Sequence, residues 1–151
     1  MTEIRFLASP RPFEMPEEID SYNNQSVFKE EWSGFNVYET DVFWYGIVQP
    51  IVTLPYLYEV SGIGNKYFWI YLEKYFAEGD IIELYEIPVQ NWYESYVQRV
   101  LEKPESITIN LGNYTYQNAS GTYQLNPKKW VEELKHRTLL TEFGVTTIVK
   151  Y

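Results

Sequence analysis

The sequence contains no cysteine and a single histidine, and each scarcity removes a class of chemistry. Without cysteine the chain has no disulfide, no thiolate nucleophile and no cysteine-ligated metal. A zinc site needs three or four histidine, cysteine or carboxylate ligands, so one histidine argues against metal binding. His136 follows Glu132 by one predicted helical turn, which is typical of a solvated ion pair rather than a general base. We therefore expect neither a metal site nor a catalytic histidine.

Long apolar runs are also missing. No stretch of 18 apolar residues occurs, so we expect no membrane-spanning helix. The N-terminal MTEIRF lacks the basic and apolar segments of a signal peptide, which favours a soluble, cytoplasmic protein. With 151 residues, 45% of them hydrophobic, the chain is long enough for a genuine core and is expected to form one globular domain over 1–151.

Basic residues are few and unevenly placed. The net charge is −9, and residues 1–90 carry 15 acidic and 5 basic side chains, whereas residues 91–151 carry 6 and 7. Nucleic-acid backbones attract proteins through lysine and arginine, so direct nucleic-acid binding is not expected. The same acidity keeps a protein soluble and favours basic partners.

The hydrophobic pattern predicts a mixed order of strands and helices. Alternation and β-branched content predict strands at 3–8, 36–48, 56–60, 81–87, 106–117, 122–125 and 145–151. Residues 36–48 form either one bent strand or a hairpin that turns near Thr40 and Asp41. Helical periodicity and stop signals predict helices at 66–78, 92–103 and 127–138, the last with Asn126 as N-cap and Pro127 at its first position. The fold class is therefore α+β (or mixed α/β), a single mixed sheet of about six to eight strands with three main helices packed on it.

Two segments, 53–87 and 121–151, share the order strand, loop, helix, glycine, strand. Their residue identities are sparse, so an internal duplication is a suggestion from element order alone. The same order is common among domains that combine helices with a sheet.

The helix predicted at 66–78 is unusually aromatic. Its apolar arc covers about 200°, roughly twice what a helix on a sheet requires. Trp69, Ile70 and Tyr67 must therefore meet a second surface. That surface is residues 13–34 of the same chain, another chain or a ligand.

Tryptophan and tyrosine carry much of the energy of protein interfaces. Combined with the acidity, this gives our leading hypothesis: a non-enzymatic acidic binding or interaction protein, comparable to immunity proteins, inhibitors or adaptors. It acts on a protein partner or on itself, and the predicted surface comprises Tyr67, Trp69, Ile70 and Glu73.

The stretch SGIGNK supports a competing hypothesis. A glycine-rich turn between a strand and a helix can bring backbone N–H groups to a phosphate, and Gly62, Gly64, Asn65 and Lys66 would form that site. Tyr67 stands where the dinucleotide fingerprint has its third glycine, and no Gly-Lys-Ser/Thr follows. The alternative is thus a small-ligand enzyme or sensor for a phosphate- or nucleotide-bearing molecule.

A lesser alternative is a carbohydrate-active protein that uses aromatic platforms and carboxylates. Glu83 and Glu86 are candidates, but strand alternation predicts that they point to opposite faces of the sheet. No catalytic motif is complete, and the sequence predicts no catalytic residue and no cofactor.

Overall fold

A computed structural model describes residues 3–13, 17, 36–40, 48, 51–64, 66–88 and 93–151. The strands are β1 (Glu3–Ser9), β2 (Asn36–Glu39), β3 (Tyr56–Ser61), β4 (Ile81–Pro88), β5 (Glu105–Asn110), β6 (Thr115–Asn118), β7 (Gly121–Gln124) and β8 (Gly144–Val149). The helices are α1 (Lys66–Tyr75), α2 (Tyr93–Glu102) and α3 (Trp130–Leu134). This confirms the predicted α+β class in the described part of the chain, where no helix is both long and apolar enough to cross a membrane.

All eight strands form one sheet in the order β2-β3-β1-β4-β8-β5-β6-β7. Neighbouring strands in this order are antiparallel except β5 and β8, which are parallel. The last strand in the chain thus lies inside the sheet, where it joins two groups of strands. This order could not be read from the alternation of elements.

Both faces of the sheet carry a hydrophobic core, because strand side chains alternate between faces. On β4, Leu84 belongs to the core of the first face and Tyr85 to that of the second. The first face packs on α1 and α3 through Phe68, Trp69, Leu72, Trp130 and Leu134. The second face packs on α2 and on Val48 and Val52, with Tyr96 and Val100 contributed by the helix.

The two segments of shared order both form parallel crossovers. The intervening strands make β3 parallel to β4 and β7 parallel to β8, and the connecting helices α1 and α3 pack on the same face. The spacing differs, since one strand separates β3 from β4 and two strands separate β7 from β8. The common architecture accounts for the common order, and duplication stays a prediction.

The predicted strand at 106–117 is wrong in extent. The chain turns after β5 and returns as β6, pairing Asn110 with Thr115 in an antiparallel hairpin. The Asn110 Oδ1 accepts the Gly112 N–H at 2.8 Å, and Tyr114 takes a left-handed φ of 57°. Asparagine and glycine supply the turn that the continuous apolar pattern concealed.

Two predicted helices are shorter than their patterns. Helix α1 ends at Tyr75, before Glu78, and Gly79 (φ 92°) lies in a later turn rather than at the helix end. Helix α3 begins at Trp130, because Asn126 caps a turn instead: its Oδ1 accepts the Lys128 N–H at 2.9 Å. The predicted strand at 36–48 is confirmed over β2, whereas 41–47 lie outside the described residues.

Gly144 offers a test of the β5–β8 contact. A Cβ at this position would lie less than 3.0 Å from the backbone of Glu105, so Gly144→Ala should lower the free energy of unfolding by about 3 kcal/mol in urea titrations. Gly64→Ala is the matched control, because a Cβ there meets nothing within 4 Å, and its effect should stay within about 1 kcal/mol. Equal effects of the two substitutions would contradict the tight approach.

Candidate functional site

A cleft of about 610 Å³ lies where β4 extends past the last residue that pairs with its neighbour β8. The β4–β8 ladder ends with Leu84 opposite Thr146, although β4 continues to Pro88. Here the start of β1 lies beside Pro88, with Glu3 opposite it in the ladder. We call this the end cleft. Its walls come from β1, β4, α2 and residues 140–143.

The base of the end cleft is aromatic and apolar. Tyr96 is buried, and its ring centroid lies 6.0 Å from that of Phe143 with an interplanar angle of 31°. Pro88 and Leu140 complete the apolar lining. Helix α2 places Tyr96 here because its apolar stripe faces the second core, which also includes Val100.

Three carboxylates surround this base: Glu3, Glu86 and Glu142. Burial raises the pKa of Glu86, and a hydrogen bond with the Glu3 carboxyl and the Glu3 charge add to the rise, whereas the Arg5 guanidinium opposes it. The Arg5 Nε lies 3.7 Å from the Glu86 Oε1. The ionised form of Glu86 is therefore disfavoured by burial and by the neighbouring Glu3 and favoured by Arg5.

Arg99 is the cation within the end cleft. Its Nη2 lies 3.7 Å from the Glu105 Oε2, its Nη1 donates to the Lys103 carbonyl, and its Cζ stands 4.9 Å from the centroid of the Phe143 ring. Arg5 pairs with Glu86 and Arg99 pairs with Glu105, and the cleft lining adds the carboxylates of Glu3 and Glu142.

Within the described residues, no three histidine, cysteine or acidic side chains converge closely enough to hold a metal ion. The carboxylates of Glu3, Glu86 and Glu142 belong to the lining of a roomy cleft that also contains the rings of Tyr96 and Phe143. Such a distribution suits an organic cation with several N–H donors better than a compact ion.

The predicted partner surface on α1 needs a correction. Trp69 is 2% exposed, and its Nε1 donates to the Ile63 carbonyl at 2.8 Å, so it belongs to the core and cannot contact a partner of the folded chain. Ile70 is 44% exposed and remains available. Glu73 is half-buried, and its backbone carbonyl accepts the Lys150 Nζ at 3.0 Å; the Tyr67 side chain lies outside the described part.

Part of the glycine-rich loop belongs to the hydrophobic core. Gly62 has a φ of 77°, and the loop inserts Ile63, which is 3% exposed, beneath α1. Gly64 and Lys66 are exposed, while Asn65 lies outside the described residues. A phosphate site at this loop stays a prediction.

Glu83 and Glu86 do face opposite sides of the sheet. Glu86 pairs with Arg5 and Glu83 with Ala8, three residues further along β1. Burial raises the pKa of Glu83, and a hydrogen bond with the Tyr85 side chain partly offsets this. The glycosidase-like pair is therefore not formed by these two residues.

Sequence reasoning missed most of the end cleft, including Glu3, Tyr96, Arg99, Glu142 and Phe143. These residues are scattered from one end of the chain to the other. The Arg5–Glu86 register that assembles them depends on strand order, which no local pattern contains.

Replacing Glu83 tests its burial. Because the pKa of Glu83 is raised in the folded chain, the folded chain binds more protons than the unfolded chain above the ordinary pKa of 4.5, and stability falls as the pH rises through the raised value. Glu83→Gln should therefore raise the Tm at pH 7.5 and leave it nearly unchanged at pH 4. A decrease at pH 7.5 in thermal unfolding would contradict a destabilising charge.

Trp69 and Ile70 separate core from surface on α1. Trp69→Phe leaves the Ile63 carbonyl without its donor and a gap in the core, so the free energy of unfolding should fall by about 2–3 kcal/mol. Ile70→Ser should change it by no more than about 0.5 kcal/mol. Chemical denaturation of both variants measures these changes. If Trp69→Phe leaves the free energy of unfolding unchanged, Trp69 is not a core residue.

Comparison with known proteins does not indicate what the end cleft binds. No protein-family model matches the chain, and no curated protein or solved structure is significantly similar to it.

Proposed function

We propose that the protein is a non-catalytic binding protein that holds a positively charged group of a protein partner in the end cleft. The observation that carries this proposal is the excess of carboxylates, from Glu3, Glu86 and Glu142, around the aromatic base formed by Tyr96 and Phe143. Carboxylates attract a cation, and aromatic rings add cation–π attraction and apolar contact for its aliphatic stem.

The charge of the whole chain supports a basic partner. The net charge is −9, and most of the excess lies in residues 1–90, which contribute Glu3 and Glu86. A field of one sign accelerates encounter with a partner of the opposite sign, and the effect weakens as salt rises. The cleft would then supply the local contact that fixes the encounter.

The same site modifies the sequence-based hypothesis rather than replacing it. The class, an acidic interaction protein, is retained, but the contact surface moves from Trp69 to the end cleft, because Trp69 is buried. Ile70 can still contribute as an exposed apolar side chain on α1. Self-association is an alternative source of the basic group, since α3 and its neighbourhood carry Lys128, Lys129 and Lys135 on the surface.

Charge-neutral variants test the proposal. A tetra-arginine amide peptide is titrated into ¹⁵N-labelled protein, and backbone chemical shifts should change at residues 95–99 and 140–144. Glu3→Gln combined with Glu142→Gln should weaken binding about tenfold, because two rim charges are lost.

The control is Glu132→Gln, which removes one exposed carboxylate on α3 outside the cleft lining. It should leave the affinity within about twofold. If shift changes scatter over the acidic surface, or if Glu132→Gln weakens binding as much per charge as the cleft variants, the end cleft is not the binding site.

A further inference from the structure

Within the end cleft, a guanidinium group is already seated on an aromatic ring. The Arg99 Cζ stands 4.9 Å from the centroid of the Phe143 ring, which also packs against Tyr96 at 6.0 Å. Arginine reaches this position from α2, and its side chain remains 35% exposed. The Phe143 ring in the cleft thus already accommodates a guanidinium cation, that of Arg99.

The ion pair that Arg99 forms with Glu105 is long. The contact of Arg99 with the Glu105 Oε2 spans 3.7 Å, beyond hydrogen-bond distance, and the Glu105 Oε1 accepts the Phe143 N–H at 3.2 Å. A hydrogen bond to the Lys103 carbonyl is its other polar contact with the end of α2. Partly exposed ion pairs of this length contribute little stability, so the Glu105 contact adds little to the cost of displacing the Arg99 side chain.

The rim carboxylates do not hold Arg99. Glu142 is exposed and makes no ion pair with the described residues, and Glu3 shares its hydrogen bond with Glu86. A planar guanidinium can donate to two carboxylate oxygens and stack on a ring at once, which an ammonium cannot. An arginine side chain can therefore use both kinds of group that line the cleft, carboxylates and an aromatic ring.

We propose that the group recognised in the end cleft is the guanidinium of a partner's arginine side chain, and that Arg99 is an internal competitor for the Phe143 ring. This rests on the proposed function and names its ligand. When the partner's arginine enters, Arg99 swings from the ring into solvent, and its positive charge sets the cost of entry. Arg99 is thereby a specificity-determining residue.

The test compares two small probes, N-acetyl-arginine amide and N-acetyl-lysine amide, by chemical-shift titration of the full chain. Arg99→Met keeps an apolar stem but uncovers the ring and removes a positive charge. It should raise affinity for the arginine probe about fivefold and for the lysine probe about twofold.

Arg5→Met is the matched control. It also removes one positive charge, that of the Arg5 guanidinium 3.7 Å from the cleft residue Glu86, but uncovers no part of the Phe143 ring. It should raise the affinities for both probes by the same factor. If Arg5→Met and Arg99→Met change the arginine-to-lysine preference equally, the ring is not contested and the proposal is overturned.

Arg99→Lys provides a second test in case Arg99→Met does not fold. Lysine retains the positive charge and the aliphatic part of the side chain and loses only the planar group that stacks on the Phe143 ring. Arg99→Lys should increase the arginine-to-lysine preference about twofold. An unchanged preference in this variant, with wild-type binding intact, overturns the role of Arg99 alone. Absence of any cleft shift with either probe, in wild type and variants, overturns the proposed function as well.

Discussion

The arrangement of the molecule depends on the insertion of β8 between β4 and β5. Without it the remaining strands would form two separate groups, β2-β3-β1-β4 and β5-β6-β7. The parallel contact with β5 requires the backbone of Gly144 to lie against that of Glu105, a distance only glycine permits. Thr146 is buried in the same strand and donates to the Leu139 carbonyl at 2.6 Å, which fixes the connection that leads into it.

The end cleft follows from the same insertion. Since the β4–β8 ladder stops at Leu84, the end of β4 pairs with β1 on one side, and the other side is left to α2 and residues 140–143. Three carboxylates, those of Glu3, Glu86 and Glu142, line this opening together with Tyr96 and Phe143.

The described aromatic side chains contribute mainly to packing within the fold. The sequence predicted a second surface for Trp69, and the Ile63 carbonyl and the core shared with α3 provide it, whereas Ile70 stays 44% exposed. A buried indole N–H needs an acceptor, and a loop carbonyl satisfies it without a partner molecule. Elsewhere Arg137 stacks on the rings of Tyr116 and Tyr123, at 5.0 and 4.3 Å, and ties the outer strands to the segment after α3.

The sequence by itself determined the α+β class, the positions of most elements and the acidity, because periodicity and composition are local properties. It also determined that Glu83 and Glu86 lie on opposite faces, since side chains alternate along any strand. Only the tertiary structure decided the strand order, the hairpin at Asn110 and the burial of Trp69. The end cleft belongs to this second group, because it is made by residues far apart in the chain that meet only where one strand extends past another.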